Sequence, residues 1–285
     1  MRNYSVLDLD TNEYGGIEKL FPNWCGSDER LCVYSPHDDD AIIGAGYAMR
    51  AALDAGAEVY IIIVCNGCAG YSTVEEKDQI VETRRKETLN CYKEFGIPEE
   101  NIVFLNIPDF SALSYVGWNI APGREGHFRQ TIVELRKRKI TRVLVPNHYR
   151  EHVDHVAASM MATFDAPQSG DAFSVDWGEP QPIRSVAEYC VWADLDPEDA
   201  IVRGRSPVLR ANTVLLASAD VEEYVNRGIE KYVSQQEIIE GLIQARKERK
   251  INDGRFIEVY LRFDPRPRMN YEPYRRVVES IAAET

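Results

Sequence analysis

The chain lacks any long hydrophobic run, because its longest stretch of consecutive apolar residues extends only from Val59 to Cys65. A helix that crosses a bilayer needs about 20 such residues. The first residues, 1–16, also lack the apolar core of a signal peptide. We therefore expect a cytoplasmic protein with no membrane partner, in which the six cysteines need not form disulfides.

An excess of positive charge is also absent. The 46 Asp and Glu residues outnumber the 33 Lys and Arg residues, which gives a net charge of −13. Such a chain repels phosphate backbones. The short basic run at 136–139 falls late in a predicted helix, where basic residues suit the helix dipole. This composition argues against nucleic acid as a partner, and it leaves the oligomeric state open, with a homo-oligomer as one option.

Strand and helix patterns alternate through the first half of the chain. Apolar runs predict four strands, each followed by a helix, at 31–35, 58–65, 102–107 and 142–145. A continuous apolar run is typical of a strand that is buried on both faces of a parallel sheet. The pattern predicts an α/β fold of the Rossmann-like three-layer type, with a mostly parallel central sheet in the strand order 3-2-1-4.

The rest of the chain is expected to complete one domain, 1–285. Residues 1–29 have little periodicity and are predicted to form an irregular arm, whereas 30–165 form the core of the site. The C-terminal elaboration, 166–285, is predicted to hold strands at 187–192, 213–217 and 256–263 and one long helix at 221–250.

The most informative stretch follows the first predicted strand. It places His37 and three aspartates, Asp38, Asp39 and Asp40, where a helix begins. One aspartate suffices to cap a helix N-terminus, which is the simplest alternative interpretation. Because imidazole nitrogen and carboxylate oxygen are both zinc ligands, the cluster also indicates a metal site.

A second cluster of histidines follows the fourth predicted strand. It includes His148, His152 and His155, with Asp154 between the last two. In the order 3-2-1-4, strands one and four are neighbours, and ligands bind outside the carboxyl ends of the strands at that point. The two clusters are therefore predicted to meet at the place where this fold binds ligands.

These residues resemble the motifs of the LmbE/PIG-L family of zinc-dependent N-deacetylases, which act on N-acetylglucosaminyl compounds. The family's Pro-His-Pro-Asp-Asp-Glu is similar to residues 36–41, and its His-Pro-Asp-His is similar to residues 152–155. Between them, Arg84 and Glu87 resemble an Arg-x-x-Glu motif, and Asp109 resembles the acid of a Pro-Asp motif. Matches in this order and spacing seldom arise by chance.

The resemblance implies a role for each matched residue. It implies that His37, Asp40 and His155 bind one zinc ion per chain, or Fe²⁺ or Mn²⁺, since the same ligands accept several metals. Asp39 would be the general base, and His152 would stabilise the oxyanion while Asp154 orients its ring. The implied substrate contacts are Arg84, Asp109 and Arg150, and the implied partner is a small N-acetylated amino sugar or conjugate.

The chain departs from the family pattern at three positions. Asp38 replaces a proline and adds a charge, Ala41 replaces a glutamate, and Arg150 stands where some members have a tyrosine. Substrate choice and the chemistry at the amine are therefore open. The pair Cys65 and Cys68 resembles a redox or zinc motif, but a buried apolar role for Cys65 is the stronger interpretation.

The sequence thus predicts a metal-dependent hydrolase that removes an acetyl group from an N-acetylglucosamine-type sugar. Alternatives are an amidase acting on a thiol conjugate, a phosphoester hydrolase with the same ligands, and a metal-bearing sugar-binding protein without catalysis. Asp39 speaks against the last alternative, because a binder needs no base beside the metal. Part of the irregular segment 166–212 is expected to border the site, with Trp177 and Trp192 as candidates for stacking on a sugar.

Overall fold

The computed structural model describes residues 3–202 and 204–284. The strands are, in chain order, β1 (Tyr4–Asp8), β2 (Glu13–Gly15), β3 (Arg30–Ser35), β4 (Glu58–Cys65), β5 (Ile102–Ile107), β6 (Asn119–Ala121), β7 (Arg124–Glu125), β8 (Arg142–Pro146), β9 (Ser185–Tyr189), β10 (Thr213–Ala217) and β11 (Phe256–Phe263). The α-helices are α1 (Asp40–Asp54), α2 (Ile80–Glu94), α3 (Phe128–Lys137), α4 (Val153–Gln168), α5 (Pro197–Val202), α6 (Ala219–Ile229), α7 (Gln236–Arg246) and α8 (Glu272–Glu284).

One nine-stranded mixed sheet has the order β2-β1-β10-β11-β9-β8-β3-β4-β5. The strands from β9 to β5 are parallel, and those from β2 to β9 are antiparallel. The four strands expected in the first half of the chain, β3, β4, β5 and β8, lie in the predicted order 3-2-1-4. The predicted α/β fold is confirmed, and β3 and β8 end side by side at one edge of the sheet.

Side chains of the central strands alternate between two cores. In β4, Val59, Ile61 and Ile63 pack on one face with α1, α2, α6 and α7, whereas the intervening residues pack on the other face with α3 and α4. This alternation follows from the period of two in a strand. The continuous apolar run is thus a strand buried on both faces, as the pattern indicated.

The prediction of an irregular arm over 1–29 is wrong for its first half. Residues Tyr4–Asp8 form β1, which pairs antiparallel with β10, and β2 pairs with β1. The partner of β1 lies more than 200 residues away in the sequence. Such a pairing leaves little local signal, because the sheet rather than the segment itself determines the strand.

The predicted long helix at 221–250 is also wrong. The structure has two helices, α6 and α7, separated by a segment that includes Tyr232 and Ser234. The Tyr232 hydroxyl donates to the backbone oxygen of Asp38 at 2.7 Å, and Ser234 donates through its backbone nitrogen and hydroxyl to Glu87. These tertiary hydrogen bonds interrupt a pattern that is locally helical.

The other predicted elements differ mainly at their ends. The strand expected at 187–192 spans Ser185–Tyr189, and the helix expected after β4 begins at Ile80, after a short 3-10 turn, Val74–Glu76. Helix α8 was not predicted from the sequence. In the described part of the chain, no helix is both long and apolar enough to cross a membrane.

Candidate metal centre

In the turn between β3 and α1, the aspartate carboxylates are not used to cap the helix. The hydroxyl of Ser35 accepts the backbone N–H of Ala41 at 3.0 Å, which caps the start of α1, and no aspartate side chain caps this helix. Asp40 instead accepts the backbone N–H of His37 at 2.8 Å through Oδ2. The alternative interpretation, in which an aspartate caps α1, is therefore wrong.

The turn after β8 brings the second cluster to the same edge of the sheet. His152 is the N-cap of α4, and His155 lies in the first turn of that helix, where it is fully buried. The donor atoms of His37, Asp40 and His155 lie within 4.8 Å of one another. The structure thus brings together the three side chains that the sequence analysis proposed as metal ligands.

Glu151, which was not among the predicted site residues, fixes the orientation of His155. Its buried carboxylate accepts a hydrogen bond from His155 Nδ1. Its other oxygen accepts the backbone N–H groups of Val191, Trp192 and Ala193 at 3.0–3.1 Å. With its proton held on Nδ1, His155 presents the lone pair of Nε2 to the site. The four-residue spacing of Glu151 and His155 could have indicated their contact, because side chains four residues apart lie next to each other at a helix.

The site suits a cation. The Nε2 atom of His155 lies 3.0 Å from Asp40 Oδ2, yet it is buried and makes no hydrogen bond to the residues that the structure describes. Burial lowers the pKa of His155, but the Asp40 carboxylate and Glu151 raise it more, to about 9. The carboxylates thus favour positive charge here, and a metal ion bound by two imidazoles and a carboxylate would supply it.

Asp39 lies beside this triad with its side chain buried. Burial raises the pKa of Asp39, Arg84 lowers it, and the neighbouring charges of Asp38 and Asp40 raise it again, so that it reaches about 6. A carboxylate with such a pKa exchanges a proton near neutral pH, as a general base must.

Arg84 pairs with Asp38 behind the turn. Its Nε lies 3.0 and 3.1 Å from the two carboxylate oxygens, and Thr88 also donates to Asp38, at 3.0 Å. Arg84 is 6% exposed. The added charge of Asp38, which replaces the family's proline, therefore has a buried partner of its own, and the guanidinium predicted to contact substrate is engaged in that ion pair.

His152 and Asp154 lie at the open side and the floor of the site, respectively. The Asp154 carboxylate accepts the backbone N–H groups of Phe110 and Ala112, and it lies 3.3 Å from His37 Nε2 but 3.5 Å from His152 Nδ1. His152 Nδ1 accepts the backbone N–H of Asp154. Asp154 is thus closer to His37 than to His152, the ring that it was expected to orient.

The pKa values of His152 and Asp154 are both lower than the ordinary values of these groups. Burial and the neighbouring His37 lower the pKa of His152, which favours the neutral ring; because Nδ1 accepts a backbone N–H, the proton of that neutral ring lies on Nε2. Burial raises the pKa of Asp154, but hydrogen bonds from His37 and from two backbone N–H groups lower it to about 2. The floor of the site therefore carries a permanent negative charge.

Asp109 lies next to the triad, whereas Arg150 lies farther out: a carboxylate oxygen of Asp109, a ring nitrogen of His37 and the sulfur of Cys65 lie within 4.8 Å of one another. Asp109 accepts the backbone N–H groups of Gly67 and Ala69 at 2.9 and 2.8 Å and so shapes the loop after β4. Arg150 is exposed, has a φ of 54°, and lies with its guanidinium 5.3 Å from the ring centre of Tyr149. Asp109 therefore supports a wall of the site, and Arg150 lies on the surface of the histidine loop.

Several other candidates fall outside the triad. Cys65 is buried and Cys68 is partly buried, and both are free thiols. Trp177 is buried among aromatic rings, whereas Trp192 is 54% exposed. His148 lies between Glu188 and Asp196, with its two ring nitrogens 3.2 and 3.4 Å from their carboxylates.

Comparisons with known proteins agree with the geometry. Residues 32–164 match the PIG-L family, described as GlcNAc-PI de-N-acetylase. This match confirms the predicted resemblance over the segment that carries the triad. No curated protein sequence matches the chain.

Solved structures share the fold at low sequence identity. The N,N'-diacetylchitobiose deacetylase from Pyrococcus horikoshii is 18% identical, with 87% of this chain and 90% of that chain covered and a TM-score of 0.61. The hydratase GalB from Pseudomonas putida, which acts on 4-carboxy-2-hydroxymuconate, is 15% identical, with 85% and 99% covered and a TM-score of 0.60. A zinc-inhibited form of a teicoplanin deacetylase is 18% identical, with 82% and 99% covered and a TM-score of 0.53. The fold therefore serves more than one reaction, and the residues of the site must identify the chemistry.

Proposed function

From the match of residues 32–164 to the PIG-L family, we propose that this protein is a metal-dependent hydrolase that removes the acetyl group from an N-acetylated amino sugar or its conjugate. The observation that carries the proposal is the convergence of His37, Asp40 and His155, with Asp39 beside them, at the shared edge of β3 and β8.

Three side chains would hold the metal. His37 and His155 supply nitrogen, Asp40 supplies oxygen, and the carboxylates of Glu151 and Asp154 hold the two imidazole rings. A divalent ion bound there lowers the pKa of a coordinated water towards about 7 and polarises the amide carbonyl. We propose zinc, with Fe²⁺ and Mn²⁺ as alternatives, since these ligands do not select one ion.

Asp39 would move the proton. Its carboxylate takes a proton from the attacking water as the new C–O bond forms, and it delivers that proton to the amine nitrogen as the C–N bond breaks. The products are acetate and a free amine. Its pKa of about 6 suits both steps.

His152 would stabilise the charge that develops on the carbonyl oxygen. Its Nδ1 accepts the backbone N–H of Asp154, which leaves the Nε2–H available to donate. Removal of one such donor typically costs about 10²–10³ in kcat. Asp109 and Arg150 remain candidates for contact with the sugar, whereas the pairing of Arg84 with Asp38 supports a role in holding the turn.

The test is release of free amine from a panel of N-acetylated amino sugars, with protein loaded in turn with zinc, iron or manganese. Asp39→Asn and chelated protein serve as controls. We expect release that disappears in both controls. Turnover that persists in Asp39→Asn contradicts the mechanism, and no release from any panel member while metal is bound favours a binding protein or another scissile bond.

A further inference from the structure

Phe110 has a backbone conformation that its side chain disfavours. Its φ of 60° lies in the left-handed region, which glycine and asparagine adopt far more readily than aromatic residues. The backbone N–H of Phe110 donates to Asp154 Oδ2 at 2.7 Å, and that of Ala112 donates to Asp154 Oδ1 at 3.1 Å. The buried carboxylate of Asp154 therefore anchors the backbone in this conformation, which glycine would adopt at less cost.

The ring of Phe110 contributes little to the stability of the fold, because most of it is not buried. The residue is 66% exposed, although a large apolar side chain normally stabilises a protein through burial. Its neighbour in the site is His152, with ring centres 4.6 Å apart at an angle of 60°. An aromatic ring is thus held in the open beside the residue proposed to contact the reacting carbonyl.

We propose that Phe110 is a specificity-determining residue whose ring stacks on the apolar face of the substrate's pyranose. This inference rests on the proposed function. The acetyl group is the small end of such a substrate and enters the site, so the sugar extends outwards past His152. The C–H groups of a pyranose face match an exposed aromatic ring, which gives contact area at a low cost in side-chain entropy.

The test measures binding separately from turnover. The probe is methyl N-acetyl-β-glucosaminide, titrated calorimetrically into metal-loaded Asp39→Asn protein with Phe110, Phe110→Gly or Phe110→Tyr. We expect about tenfold weaker binding for Phe110→Gly, a loss typical of one aromatic contact, and less than threefold change for Phe110→Tyr. Phe110→Gly should not lower thermal stability, because glycine accepts the left-handed conformation.

Turnover of the same probe by proteins with Asp39 intact separates a sugar contact from mere support of His152. A sugar contact raises KM in Phe110→Gly, whereas support of His152 lowers kcat at unchanged KM and overturns the inference. Equal affinities in all three proteins, or no binding with Phe110 intact, also overturn it. If amine is released but the affinities are equal, the proposed function stands and the role of Phe110 fails. If binding depends on Phe110 but no amine is released, the sugar contact stands and the proposed function fails.

Discussion

At the scale of single residues, the proton on His155 is set by Glu151. A glutamine at this position still offers an oxygen to the backbone N–H groups of residues 191–193, but its amide then donates to His155 Nδ1. That reversal moves the imidazole proton to Nε2, the atom that faces Asp40.

We therefore predict that Glu151→Gln weakens metal binding about 10–100-fold, the range found for partners of metal ligands. Competition with a chelator measures the affinity. Glu75→Gln, on an exposed turn, is the matched control and should leave the affinity unchanged. Equal affinities in the two variants would mean that Glu151 only supports the 191–193 loop.

Metal binding should also stabilise the folded chain. A ligand at 100 times its Kd contributes about 2.7 kcal/mol when it binds only the folded state. We predict a rise in Tm on addition of zinc, its loss on chelation, and its absence in His155→Asn. His148→Asn, whose side chain is 42% exposed and pairs with Glu188 and Asp196, should keep the rise. A rise that survives in His155→Asn would place the metal elsewhere.

At the scale of elements, α1 approaches the end of β9 through Gly44. A Cβ atom there would lie 2.6 Å from the Tyr189 ring and 2.5 Å from the carbonyl oxygen of Cys190. We predict that Gly44→Ala lowers the free energy of unfolding by about 1–3 kcal/mol, as overpacking does.

Gly241, in α7, gives the matched control. A Cβ atom there would meet nothing within 4 Å among the described residues, so Gly241→Ala should stabilise the protein by about 0.5–1 kcal/mol through helix propensity alone. Urea denaturation measures both. If Gly44→Ala stabilised the protein as Gly241→Ala does, α1 and β9 would not be in tight contact.

The elements that the sequence predicts well are those whose signal is local. The run in β4 and the turn from His37 to Asp40 carry their own patterns, and so their order and their meeting with His155 follow from the sequence. The break between α6 and α7 does not, because hydrogen bonds from Tyr232 and Ser234 to distant residues decide it.

The ion pair of Arg84 with Asp38 shows the same limit within the site. Both residues stand out in the sequence, but only packing of α2 behind the turn reveals that they pair with each other. The location of the site was thus predictable, whereas the partners of its side chains were not.

At the scale of the whole molecule, a buried ion pair joins the N-terminal segment to the sheet. Glu29 accepts hydrogen bonds from Arg142, in β8, and both side chains are fully buried. Burial raises the pKa of Glu29, but hydrogen bonds from Arg142 and Thr141 lower it more, to about 2.

This pKa predicts how stability depends on pH. Because the pKa of Glu29 is lower in the folded state than its unfolded value of about 4.3, its contribution is complete above that value and is lost as pH falls towards 2. Glu29→Gln should destabilise the protein by about 3–5 kcal/mol at pH 7, the cost of breaking a buried pair, and by less at pH 3. Urea denaturation at both values measures the difference, and a difference that is constant with pH would contradict the assignment.

The three backbone amides that hold Glu151 belong to residues 191–193, beyond the segment 32–164 that matches the family. The metal ligands and the backbone amides that anchor Glu151 are therefore encoded in separate parts of the chain. A chimera that joined residues 32–164 to the C-terminal part of a relative would inherit the ligands without their anchor. For domain shuffling, the smallest transferable unit of this site must extend at least to Ala193.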